Sequence, residues 1–238
     1  MAAADQAAPS PRPAVADPRA GETGAPVECI PLGVRGVSAA PPDFDAIVLA
    51  GGRSSRLGGL PKAGLVFGGR TLLERTCAAL AGARRLVVVG PDPDGGQLAA
   101  LAGAPSFVRE EPAFAGPAAA VVAGLGTITD PAPWCAVVAC DMPRVDELVP
   151  LLLAAAEVEG GTSVMAVEGG RDQPLAALYR SADLAHAIDA LLAHGAVENL
   201  SMRSLLASVR TREVPVPPGV THDVDTFSDA RRLGVDVP

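Results

Sequence analysis

Three short apolar runs, each closed by glycine or aspartate, limit the folds open to this chain. Ala46-Ile47-Val48-Leu49-Ala50 runs into Gly51-Gly52, Arg85–Val89 into Gly90, and Cys135–Cys140 into Asp141. Runs this short, with no polar alternation, read as strands buried on both faces, which is the habit of parallel sheets. Helical spacing fills the gaps between them. Thr71–Ala81 carries Thr71 as N-cap and Glu74 three residues on, a capping-box pattern. Further helices are expected over Gln97–Ala102, Ala118–Leu125, Val145–Ala156, Ala182–Ala193 and Leu200–Ala207, with a last one from about Ser228. Shorter strands are expected at Ser106–Val108 and Arg212–Val216. Ser163–Val167 and Pro174–Tyr179 read as two strands joined by a turn at Glu168-Gly169-Gly170-Arg171. Strands alternating with helices predict an α/β protein on a mostly parallel sheet. Right-handed crossovers then gather the strand C-termini at one edge, where such folds bind ligands near the switch in strand order. The loops after Ala50, Val89, Val108 and Cys140 are therefore expected to share one crevice.

The first 41 residues differ in character. They are rich in Ala, Pro and Gly, and only Val27–Val34 offers apolar content. Such a stretch buries too little surface to offset its ordering entropy, so residues 1–41 are expected to form a disordered extension and residues 42–238 the folded domain. No apolar run approaches the roughly 18 residues of a membrane span. The N-terminus lacks a basic segment followed by an apolar one, which points to the cytoplasm rather than export. The chain carries 19 basic and 27 acidic side chains, a formal charge of −8. That balance argues against coating a nucleic acid, but a small anionic substrate needs only a few well-placed positive groups. Cys29, Cys77, Cys135 and Cys140 form no C-x-x-C pair and read as reduced, small buried residues. His186, His194 and His222 show no metal-ligand spacing.

The first glycine loop reads Leu49-Ala50-Gly51-Gly52-Arg53-Ser54-Ser55-Arg56-Leu57-Gly58-Gly59-Leu60-Pro61-Lys62. Its glycines let backbone N–H groups approach phosphate oxygens, and Arg56 and Lys62 supply the matching charge. Lys62 is the only lysine of the chain. The loop is not a Walker A sequence, because Pro61 precedes the lysine and Ala63 follows it, and the adjacent Gly51 and Gly52 do not make a dinucleotide fingerprint. Asp141, just past a strand end, can cap the following helix or, beside phosphates, hold a Mg²⁺ ion. Asp223 and Asp225 are two apart, so in an extended segment both point to one side.

The string LAGGRSSRLGGLPKAGLVFGGRTLLERT resembles the signature loop of the molybdenum-cofactor guanylyltransferases and their nucleotidyltransferase relatives. Other motifs agree in order: Glu110-Glu111 before Gly116-Pro117, Cys140-Asp141-Met142-Pro143, Asp172-Gln173-Pro174-Leu175 and Asp223-Val224-Asp225-Thr226. The resemblance runs from about Ala46 to the C-terminus. It implies a Rossmann-like three-layer domain of the nucleotide-diphospho-sugar-transferase kind. It also implies transfer of GMP from GTP to the phosphate of molybdopterin, with release of pyrophosphate and with Mg²⁺ as cofactor. Lys62, Arg56 and Asp141 would be catalytic. Leu49, Ala50, Gly51, Gly52, Arg56, Lys62, Gly90, Glu111 and Asp141 would bind the nucleotide, and Asp141 and Asp225 the metal. Molybdenum-insertion proteins or molybdoenzymes are the implied protein partners, and a monomer or weak oligomer the implied state. The acceptor side is expected from Glu168–Tyr179 and Asn199–Arg203. Three positions depart from the guanylyltransferase pattern: Gly90 stands where those enzymes commonly carry Asn, Glu111 where they carry Asp, and Pro61 before the lysine as in related cytidylyltransferases. The pair Gly51-Gly52 favours the guanine-using branch. A nucleotidyltransferase using CTP or another acceptor, such as a phosphorylated sugar or a deazaflavin precursor, remains the alternative.

Overall fold

The burial expected of the apolar runs is met on both faces of a central sheet. The computed structural model describes residues 42–52, 54–92, 104–157, 161–195 and 200–237. The extension over 1–41 with Cys29, the helix at 97–102 and Asn199 lie outside the described residues. Strand β1 (Phe44–Leu49) is buried at every position. It is followed by a small ribbon, β2 (Val66–Phe67) and β3 (Arg70–Thr71), and by helix α1 (Leu72–Ala79). Next come β4 (Leu86–Val89), β5 (Ser106–Val108), α2 (Pro117–Gly126), β6 (Trp134–Ala139) and α3 (Val145–Ala156). The chain ends with β7 (Ser163–Glu168), β8 (Arg171–Arg180), α4 (Ser181–His194), α5 (Met202–Leu205), β9 (Thr211–Pro215) and α6 (Phe227–Leu233).

Seven of these strands form one sheet in the order β5-β4-β1-β6-β8-β7-β9. All neighbours are parallel except where β8 runs against β6 and β7. Alternate side chains of the strands face two different helix layers. Ala46, Val48, Val88, Ala136 and Val138 pack with Leu73 and Cys77 of α1 and Leu148 of α3. Ile47, Leu49, Val87, Val89, Cys135 and Val137 pack with Val121 of α2, Leu184 of α4 and Met202 of α5. The result is the α/β protein on a mostly parallel sheet that the strand-helix alternation predicts, in the three layers that the family resemblance implies. Gly124 lets α2 sit close to the sheet, since a Cβ there would lie 2.8 Å from an Ile47 methyl.

The capping box at Thr71 forms as expected: the Thr71 hydroxyl accepts the Glu74 N–H, and the Glu74 carboxylate accepts the Thr71 N–H at 2.7 Å. Strand β8 is longer than expected, because the turn uses only Gly169 and Gly170, at φ 57° and 76°, and Arg171 already pairs with Glu168. Gly68 and Gly69 form a second such turn between β2 and β3, a ribbon the sequence reading left out. Cys77, Cys135 and Cys140 are buried and unbonded, and burial pushes their thiol pKa values up, that of Cys77 to about 12. No helix among the described residues is long and apolar enough to cross a membrane.

Candidate active site

The sheet register places Val108, Val89, Leu49 and Ala139 side by side at the C-terminal edge. The order of connection reverses between β1 and β6, so the loops beginning at Gly51 and Cys140 flank the switch point. The four strand ends are stitched together there: the Ala50 N–H bonds the Val89 carbonyl, the Gly90 N–H that of Val108, and the Cys140 N–H that of Leu49, at 2.9, 2.9 and 3.0 Å. As expected, the four loops share one crevice. Its inner part, about 130 Å³, is lined by Leu49, the Gly51-Gly52 backbone, Lys62, Gly90, Glu110 and Asp141. An adjoining space of about 330 Å³ extends past Phe114 to Gly116 and Pro117, where α2 begins. Gly90 has a steric reason to be glycine, since a Cβ would stand 2.9 Å from the Ala50 carbonyl carbon.

Lys62 and the acidic residues meet at the mouth of this crevice. The Lys62 ammonium donates to Asp141 Oδ2 at 2.8 Å and to Asp225 Oδ1 at 2.5 Å. Burial opposes its charge, but the two carboxylates outweigh burial and raise its pKa above the ordinary lysine value. Arg56 Nη1 lies 3.5 Å from the other Asp225 oxygen. Asp141, Asp223 and Asp225 each bring one carboxylate oxygen within 4.8 Å of the others. The i, i+2 spacing works as the sequence suggests: Val224 turns inward and is fully buried, and its neighbours face the site. The Val224 N–H bonds the Asp141 carbonyl at 3.0 Å, which ties the two acidic loops together. Burial, with help from the charges of Asp141 and Asp225, raises the Asp223 pKa. Three hard oxygen donors around one point, two of them on a single ammonium, suit a small divalent cation better than any sulfur- or imidazole-seeking metal.

A third cluster explains why these loops lie together. Leu57 and Leu65 from the glycine loop and its continuation, Leu72 at the start of α1, Val224, Ala230 of α6 and Val235 pack as one apolar group behind the charged face. Arg56 and Lys62 are thus carried on the same buried support as Asp225.

The structure brings Leu49, Ala50, Gly51, Gly52, Lys62, Gly90 and Asp141 to the crevice lining, with Arg56 beside Asp225 at its rim. Glu111 it does not: that side chain is exposed, and its neighbour Glu110 lines the crevice instead. Glu110 Oε1 accepts the Phe114 N–H at 3.0 Å and would lie 3.8 Å from a Cβ on Gly51. Two adjacent glutamates cannot be told apart by spacing; only the course of the loop after β5 separates them. Across Asp141, a larger pocket of about 370 Å³ is lined by Glu168, Arg171, Gln173, Pro174, Thr221 and His222, among others. The first four lie in the segment expected for the acceptor side. Arg203 instead lines a separate hollow with Asp172 and Pro174. His222, which no spacing rule marks, joins this pocket because it precedes Asp223.

Fold, crevice and relatives together mark the chain as a nucleotidyltransferase. Residues 46–213 match the MobA-like NTP transferase domain, and the chain belongs to that family. It is 32% identical over 189 residues to the molybdenum cofactor guanylyltransferase of Rhizobium meliloti (strain 1021), covering 76% of this chain and 84% of that protein. Among solved structures, the molybdopterin-guanine dinucleotide biosynthesis protein A of Archaeoglobus fulgidus superposes with a TM-score of 0.57 at 21% identity, covering 80% of this chain and 96% of the other. The 2-C-methyl-D-erythritol 4-phosphate cytidylyltransferase of Francisella tularensis gives 0.63 at 14% identity, covering 81% and 98%. At these identities the two structures establish the shared fold.

Proposed function

We propose that this chain transfers GMP from GTP to the phosphate of a molybdopterin-type acceptor, with or without bound molybdenum, in the cytoplasm and with Mg²⁺. The observation that carries the reading is the meeting of Lys62, Asp141 and Asp225 beside the glycine loop. The family membership and the guanylyltransferase name of the Rhizobium relative support it.

In this reading the Gly51 and Gly52 N–H groups and the Arg56 guanidinium hold the β- and γ-phosphates. Lys62 meets the charge that grows on the α-phosphate as the acceptor oxygen attacks, one P–O bond forming while the bond to pyrophosphate breaks. The acceptor phosphate is already ionised near neutral pH, so no general base is needed. Asp141, Asp223 and Asp225 would hold the cation; bound there, Mg²⁺ would neutralise phosphate charge and orient the phosphates. Glu110 takes the nucleotide-binding role that the resemblance implies for Glu111: its carboxylate can accept from guanine N1–H and the 2-amino group, which adenine does not offer. Arg171 supplies a positive, hydrogen-bond-donating group for the acceptor in the neighbouring pocket.

The test is pyrophosphate release from each of the four NTPs with Mg²⁺, with and without molybdopterin, for wild type, Lys62→Ala and Asp141→Ala. We expect dependence on GTP and on molybdopterin. Each substitution should lower turnover about a hundredfold or more while the fold persists. A preference for CTP would move the chain to the cytidylyltransferase branch, and near-normal turnover by either variant would remove those residues from catalysis.

A further inference from the structure

The three carboxylates come from two loops, and the loop carrying two of them has no strand or helix of its own. Between β9 and α6, residues 216–226 contain no regular element, and Gly219 takes a φ of 88°. Buried Val216, Val220 and Val224 and the Arg144 bond to the Pro218 carbonyl anchor parts of this loop, and one side chain grips the stretch just before Asp223. Glu168, the last residue of β7, is only 10% exposed. Its Oε1 accepts the Gly219 N–H at 2.5 Å and stands 3.2 Å from His222 Nε2. Its Oε2 accepts both the N–H and the hydroxyl of Thr221, at 2.8 and 2.6 Å. On the far side of the imidazole, Arg232 Nη1 lies 3.1 Å from His222 Nδ1. Three donors from two residues therefore converge on one carboxylate, with the His222 imidazole beside it, immediately before Asp223.

We propose that Glu168 is a positioning residue for the cation site: by gripping Gly219, Thr221 and His222 it sets the loop so that Asp223 and Asp225 stand within reach of Asp141. The second fixed point is the Val224 N–H on the Asp141 carbonyl. With both in place, the short chain from His222 to Asp225 is held at each end. Without Glu168, the Gly219 N–H and both Thr221 donors lose their shared acceptor, and the segment leading into Asp223 loses the contact that fixes its direction. Groups that orient metal ligands from behind in this way typically govern affinity about ten- to a hundredfold.

The inference rests on the reading of Asp141, Asp223 and Asp225 as the cation site, and its test needs no turnover. Free Mn²⁺ is measured by electron paramagnetic resonance in the presence of GTP for wild type, Glu168→Ala and Thr221→Val, alongside melting curves and metal-free GTP binding. Glu168→Ala should weaken Mn²⁺ binding about tenfold or more with metal-free GTP binding unchanged. Thr221→Val, which removes one donor and keeps the backbone bonds, should move affinity the same way by less. A purely structural glutamate would lower the melting temperature and leave Mn²⁺ affinity at the wild-type value in both variants; that result overturns the proposal. If Glu168→Ala does not fold, a folded Thr221→Val with wild-type affinity overturns it equally. Failure of wild type to bind Mn²⁺ would refute the cation site itself, a result distinct from a wild type that binds and variants that bind as well.

Discussion

Lys62 illustrates how one atom's surroundings decide what a residue type can do. Its ammonium sits between Asp141 and Asp225 with a side chain 19% exposed, in a space sized for a compact point charge. Arginine serves at every other basic position of the chain, yet its planar fork is wider and directs its donors differently. Lys62→Arg should therefore keep the fold and the charge but lower kcat for pyrophosphate release by roughly a hundredfold, the scale on which a displacement of about 1 Å acts. Activity within about twofold of wild type would make the lone lysine an accident of composition, since a misplaced donor costs far more than that. The residue scale is also where sequence reasoning stops short. Lys62 and Asp141 were legible because each follows a pattern written locally, a glycine loop and a strand end, while Asp225 was singled out of its i, i+2 pair by the family resemblance. Glu110 was not separable from Glu111, because the side chain that turns inward depends on the path of the loop to Phe114, whose φ of 63° no local rule predicts.

At the scale of elements, most of the strands and helices follow from burial and capping. The apolar runs could only be double-sided strands, and Thr71 with Glu74 marked the start of α1 to the residue. The ribbon β2–β3 was missed because two-residue strands carry too little pattern, although Gly68-Gly69 is the composition such a turn needs. That ribbon matters: Val66 pairs with Asp236, which brings the C-terminal segment back against the glycine loop's continuation. The apolar group of Leu57, Leu65, Leu72, Val224, Ala230 and Val235 then couples these elements to the charged face. Leu57 is fully buried in it, one residue from Arg56. Leu57→Ala should cost about 2–5 kcal/mol, the range for emptying a buried leucine site. Chemical denaturation reads this directly. Because the cavity lies under the glycine loop, KM for GTP should rise as well. A stability loss with KM unchanged would show that the loop holds its shape without this support.

Across the whole molecule, the site is assembled by topology. The crevice depends on four parallel strands ending in register, which the alternation of strands and helices already implied. The pocket beyond Asp141 depends on β8 running antiparallel between β6 and β7, which returns Arg171 and Gln173 to the same edge as Glu168. A hairpin was legible there, but not its insertion between two parallel partners, and so Glu168 and His222 were not legible as neighbours of the acids. The arrangement also has a consequence for the N-terminal extension. β1 begins at Phe44, and every residue assigned here to cation, nucleotide or acceptor lies between Leu49 and Asp225. We propose that residues 1–41 are an extension outside the folded domain. Removing them should leave kcat and KM for GTP within about twofold of the full chain and the melting temperature nearly unchanged, as expected of a terminal extension poor in apolar residues. A large rise in the acceptor KM alone, with GTP binding intact, would instead place a docking function for the acceptor or its carrier protein in the extension. Loss of all activity with a collapsed melting transition would mean that the domain boundary at 41/42 is drawn in the wrong place.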